Sequence, residues 1–181
     1  MNAGAIKFGS YIDNPYVLQD MPFFLLMGVF GGLLGAMFVH VNYNIGKFRK
    51  KYINTSPYKK IAETIFWVTL TATIMYFAPL IVKSDCLPIN ESHITEEQAL
   101  RYLCPEGQYN PLATLLFNPL GKVFKFFLSP NVFINYNPLL IYFVIWYILA
   151  IFTLGTNVPA GLFVSGILIG CSFGRLLGLF L

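Results

Sequence analysis

A break between two long apolar runs constrains this chain more than any other feature. Residues 138–154 and 162–181 are almost wholly hydrophobic, and the stretch Gly155-Thr156-Asn157-Val158-Pro159-Ala160-Gly161 separates them. Runs of this length belong in lipid, where a backbone segment must close its own hydrogen bonds. The second run therefore opens as a helix near the middle of a bilayer. A helix start leaves its first N–H groups unpaired and carries roughly half a positive elementary charge. Bare donors in hydrocarbon cost several kcal/mol each. An anion meets both the donors and the dipole, and broken helices of membrane transporters use this geometry at mid-membrane.

The rest of the chain agrees with an all-α membrane protein. It is 56% hydrophobic and 11% charged, against about 25% charged in soluble domains. We read residues 1–20 as a peripheral strip, 22–45 and 61–82 as membrane helices, and 83–108 as a luminal loop. Residues 109–130 are apolar but interrupted by Asn118, Pro119, Gly121, Lys122 and Lys125. They are too short and broken for a clean span and read as short re-entrant helices. Residues 138–154 and 161–181 complete the set. The sequence stops on Leu181 inside an apolar run with no polar flank, so it is expected to be part of a longer chain.

Charge sets the expected topology. Lys47, Arg49, Lys50, Lys51, Lys59 and Lys60 fall in residues 47–60 with no acid among them. Asp85, Glu91, Glu96, Glu97 and Glu106 outnumber Lys83 and Arg101 in residues 83–108. Basic loops stay cytoplasmic, which puts residues 47–60 in the cytosol and 83–108 on the opposite side. Such a basic run also suits nucleic acid or anionic lipid. Its position between two spans assigns it to topology, with membrane lipid as its neighbour and no nucleic acid.

Cys86 and Cys104 share the non-cytosolic side, where disulfides form, and are expected to pair. Asn90-Glu91-Ser92 is a glycosylation acceptor on the same side. Asn54-Thr55-Ser56 matches that pattern too, but its cytosolic placement leaves it unmodified. Cys171 reads as a small packing residue.

The remaining polar residues suggest little chemistry. Glu63 lies one turn from the basic loop and reads as an interfacial partner for Lys59 or Lys60. His40 reads as a packing or interfacial residue near the end of the first span, and His93 as solvated. No nucleophile–base pair or metal spacing is present, so neither an enzyme nor a cofactor is expected. Arg175 is about thirteen residues from a mid-membrane helix start, roughly 20 Å at ~1.5 Å per residue. It is expected to reach the interface and make an ion pair. Gly28, Gly31, Gly32 and Gly35, like the four-residue repeat Gly166, Gly170, Gly174 and Gly178, are expected to let helices pack closely.

With these residues in view, the sequence resembles the CLC family of chloride channels and chloride/proton exchangers, and most closely its intracellular and plant-type branch. Three stretches carry the likeness, in family order: Met21–Tyr52, Cys104–Pro119 and Thr153–Gly178. The last looks like the family's GxFxP segment with its downstream GR-containing helix. The resemblance implies an inverted-repeat membrane fold of tilted and re-entrant helices, assembled as a homodimer with one ion pathway per subunit, this chain covering the start of the second repeat. It implies a chloride site built from the backbone amides of Leu162 and Phe163, flanked by Gly161 and Val164. Gly161 would then hold an unusual backbone angle or a close approach.

The family's proline falls at position 165, where this chain has Ser165. Proline suits a first helical turn; serine adds a hydroxyl that could face the ion. The family's GSGIP and GKEGP segments, its later pore tyrosine, its internal proton-path glutamate and its CBS domains do not occur in this sequence. Chloride is the implied transported ligand, in an endomembrane or the plasma membrane. Channel and exchanger are not distinguished. The alternative is a non-transporting membrane subunit or non-functional fragment whose glycines only pack helices.

Overall fold

The computed structural model describes residues 18–82, 86–89, 99–129, 132, 134–158 and 161–180. After a 3-10 turn at Leu18–Asp20, six helices follow among these residues: α1 (Met21–Tyr52), α2 (Pro57–Ile81), α3 (Pro111–Phe117), α4 (Leu120–Leu128), α5 (Tyr136–Thr153) and α6 (Leu162–Phe180). Four of them, α1, α2, α5 and α6, are long and apolar enough to cross a membrane. The chain is a multi-pass, all-α membrane protein. At ~1.5 Å per residue, the 25 residues of α2 reach about 37 Å, more than a ~30 Å hydrocarbon core.

α1 runs past the expected boundary at residue 45 and takes in Lys47, Arg49, Lys50 and Lys51. Nothing between Val41 and Tyr52 breaks a helix, and basic residues favour the negative end of the dipole. α1 ends at Tyr52 and a turn follows; Ser56, which precedes a proline, is extended (ψ 139°) because the proline ring disfavours the helical region before it. Pro57 then opens α2, where its missing N–H costs nothing. All six basic residues of the segment therefore lie in helix, and the turn between the two helices is short.

The segment after α2 is tied rather than free. Cys86 and Cys104 form a disulfide with Cα atoms 5.8 Å apart. Beside it, β1 (Leu87–Pro88) pairs antiparallel with β2 (Gln108–Tyr109). Asn110 caps α3, its side chain accepting from the Ala113 N–H at 3.1 Å. Asn118 and Pro119 are extended, which breaks the apolar stretch into two short helices.

The core lies where α3 and α4 meet α5 and α6. Leu112, Leu115, Val123, Phe126, Leu139, Tyr142, Leu168 and Leu176 are buried in one cluster. On α6, Leu168, Ser172 and Leu176 recur every four residues and are all buried, so this row, and not the glycine row, is the packing face.

Two expectations are corrected here. A side chain at Gly28, Gly31, Gly32, Gly35, Gly166, Gly170 or Gly178 would meet no atom within 4 Å; of these two glycine rows only Gly174 comes close to a neighbouring helix, where an added side chain would lie 3.3 Å from Met27 Cε. Gly31 and Gly35 of α1 instead face Gly166 and Gly170 of α6 across a cavity of about 380 Å³. Small residues permit close approach, but whether it occurs depends on where the rest of each helix is held. α1 is held at one point by the Tyr147 hydroxyl, which donates to the Leu34 carbonyl at 2.7 Å.

Arg175 makes no ion pair among the described residues. Its Nε donates to the Phe127 carbonyl at 3.0 Å and its Nη1 to the Val132 carbonyl at 2.9 Å. Its Nη2 donates to the Ser129 carbonyl. The C-terminal end of α4 lies inside the fold, and its orphan carbonyls draw the guanidinium inward.

Candidate functional site

The site expected at residues 161–165 forms where α5 stops and α6 starts. Gly155 ends α5 in the left-handed region (φ +82°), as a glycine after a helix C-terminus does without a side-chain penalty. The Thr156 N–H and hydroxyl both return to the Thr153 carbonyl, at 3.3 and 2.8 Å. Pro159 and Ala160 lie outside the described residues, as do Asn90 and His93. α6 then opens at Leu162. Gly161 itself is not in the left-handed region, and a side chain there would meet nothing within 4 Å. Its contribution is empty space; the strained angle belongs to Gly155.

Gly161, Leu162 and Ser165 line one wall of a cavity of about 210 Å³. Thr71 and Met75 of α2 line a second wall, and Trp146, Leu149, Thr153 and Leu154 of α5 a third. No charged side chain contributes. The hydroxyls at this wall are committed to their own helices: Thr71 donates to the Trp67 carbonyl and Thr153 to the Leu149 carbonyl, each at 2.7 Å. Ser165 donates to the Leu162 carbonyl at 3.1 Å. Among the described residues none accepts from the N–H groups of Leu162, Phe163 or Val164. Among the described residues, the donors left without an acceptor around this cavity therefore include these backbone amides and one indole N–H. Phe163 turns its side chain outward and is 79% exposed, with Leu162 and Val164 less so.

Trp146 was not legible as a site residue. Its indole Nε1 is buried without a partner among the described residues, and its ring lines the same cavity. A buried indole N–H normally finds an acceptor. Nothing in the aromatic-rich spacing of α5 separates this residue from its neighbours.

A second polar cluster lies behind the break. Arg49 is buried, and its Nε donates to Glu63 Oε1 at 2.5 Å, the two side chains being 5% and 8% exposed. This corrects the expected pairing of Glu63 with Lys59 or Lys60. Those lysines precede Glu63 by one helical turn at the α2 start, and Lys59 reaches back to the Tyr52 carbonyl at 3.4 Å. Arg49 approaches from α1 across the hairpin. His40 is exposed beside Asn44, their side-chain nitrogens 3.2 Å apart, and no described residue gives it an acid partner.

Residues 2–181 match the family described as voltage gated chloride channel. H(+)/Cl(-) exchange transporter 7 of Mus musculus is 34% identical over 181 residues, covering 97% of this chain and 22% of that protein. Chloride channel protein C of Dictyostelium discoideum is 31% identical over 186 residues, with 98% and 24% covered. Chloride channel protein CLC-b of Arabidopsis thaliana is 32% identical over 184 residues, with 97% and 24% covered. The chain thus spans roughly a quarter or less of the length of these relatives.

Proposed function

The chain belongs to the voltage gated chloride channel family, and from that premise we propose that it supplies part of the path by which chloride crosses a membrane. The N-terminal turn of α6 is one wall of the anion site. Leu162 and Phe163 offer backbone amides, Gly161 leaves the approach open, and Val164 and Ser165 complete the turn. The protein works as a homodimer in an endomembrane or the plasma membrane, as a transporter or channel with no cofactor. One observation carries the reading: the start of α6, where no described residue accepts from the Leu162, Phe163 or Val164 N–H, lines a cavity whose described lining holds no charged side chain. Amides and a helix dipole hold chloride without a full countercharge, so the ion binds yet leaves.

The test grafts residues 2–181 in place of the matching segment of the mouse exchange transporter and measures chloride flux in proteoliposomes at equal protein. Phe163→Leu should change flux less than about threefold, since the amides stay in place. Gly161→Val should lower it by about tenfold or more, by filling the approach to the donors with a branched side chain. Ser165→Pro should be tolerated in a first turn. Normal flux in Gly161→Val with flux abolished in Phe163→Leu would show a site built from side chains. No flux from the unmutated graft, with the parent active, would favour a non-transporting segment.

A further inference from the structure

The last carbonyls of α5 are fully accounted for, and most of their donors come from α1. Asn42 Nδ2 donates to the Ile151 carbonyl at 2.9 Å and to the Leu154 carbonyl at 3.2 Å. Arg49 Nη1 donates to the Leu154 carbonyl at 2.6 Å, and Nη2 to the Phe152 carbonyl. The Thr153 carbonyl is met by Thr156. Arg49 in turn is held from α2 by Glu63. A side chain added at Gly155 would lie 3.4 Å from Arg49 Nη1, so the helix end and the guanidinium are in contact.

This grip has an electrostatic consequence. The C-terminal end of α5 and the N-terminal end of α6 line the same cavity. An anion there is attracted by the α6 amides and repelled by the α5 carbonyls, each helix end carrying roughly half a charge. A guanidinium bound to those carbonyls cancels the repulsion. Arg49 does this from outside the cavity wall, so it does not block the ion. Glu63 carries a full opposing charge and so limits the guanidinium's field at the ion, which would otherwise deepen the anion well and slow release.

We propose that Arg49 is a positioning residue for the anion site. With Asn42 it fixes and neutralises the α5 end, while Glu63 limits how strongly the ion is held. This rests on the α6 reading above. The same graft and assay test it, with the chloride KM and maximal rate read separately and the folded amount checked by size exclusion. Arg49→Met should raise the chloride KM by about fivefold, and Asn42→Ala by about twofold, as the helix-end repulsion returns. Glu63→Gln should move KM the opposite way, lowering it about twofold with a slower maximal rate, because the cation is then uncompensated. A role in stability alone lowers the folded amount in all three and leaves KM unchanged, and that result would overturn the proposal. If Arg49→Met does not fold, Asn42→Ala and Glu63→Gln decide in the same way. If Gly161→Val impairs flux while these variants keep the parental KM, the Arg49 inference fails and the α6 site stands. An inactive unmutated graft would overturn both.

Discussion

Replacing Arg175 tests whether a buried arginine serves here as a helix cap. In Arg175→Met the carbonyls of Phe127, Ser129 and Val132 lose their donor in a setting where water does not replace it. A hydrogen bond to a charged donor contributes ~1.5–3 kcal/mol, and three would give at most ~9. Removing the guanidinium also removes its own desolvation cost, which offsets several kcal/mol, so a net loss of about 4 kcal/mol is expected. At ~2–4 °C per kcal/mol for a domain of this size, the melting temperature should fall by roughly 8–16 °C.

Arg175→Lys keeps the charge but not the planar fork. It should lose about half as much. Cys171 provides the readout: it is the free, half-buried thiol among the described residues, while Cys86 and Cys104 are joined. A thiol-reactive fluorophore then reports unfolding through one position. A methionine variant melting within about 3 °C of the parent would refute the capping argument, as would a lysine variant indistinguishable from it.

Two further outcomes follow from the loops. Breaking the Cys86–Cys104 bridge, with its separation of 18 residues, should cost about 3 kcal/mol on the loop-entropy account; peptide mapping without reductant should recover the linked pair, and two alkylated free thiols would contradict it. Single cysteines at Lys50 and Glu97 should label from opposite sides of the membrane, Lys50 from the cytosol, following the basic and acidic bias of their segments. Equal access from the cytosol would overturn that topology.

Much of the architecture was readable because lipid leaves few choices. Backbone that cannot bond to water must become helix, so the four apolar runs could be placed as helices, although the first runs on to Tyr52, past its expected end at residue 45. The break at residues 155–161 was readable for the same reason, since glycine, asparagine and proline cluster between two such runs. The departures share a physical cause. The sequence pairs Glu63 with the lysines one turn away, because helical neighbours at three and four residues are what it displays. Its partner comes from another helix, 14 residues earlier. Arg175 was assigned an acid because charge suggests countercharge; its partners are carbonyls with no signature in the residue type. Trp146 escaped notice because an indole's lack of an acceptor is a property of its surroundings.

The sequence by itself determined that this chain lies in a membrane, that it is helical, and that glycine, asparagine and proline interrupt it between its last two long helices. These follow from hydrophobicity, proline and glycine, which act on the chain locally. Only the tertiary structure decided which helix ends are neutralised, by Arg49 at α5 and Arg175 at α4, and which glycines pack and which line a cavity. Those outcomes depend on groups far apart in the chain meeting at a few ångströms in low dielectric, where an unpaired carbonyl or cation is costly enough to choose its partner across the fold.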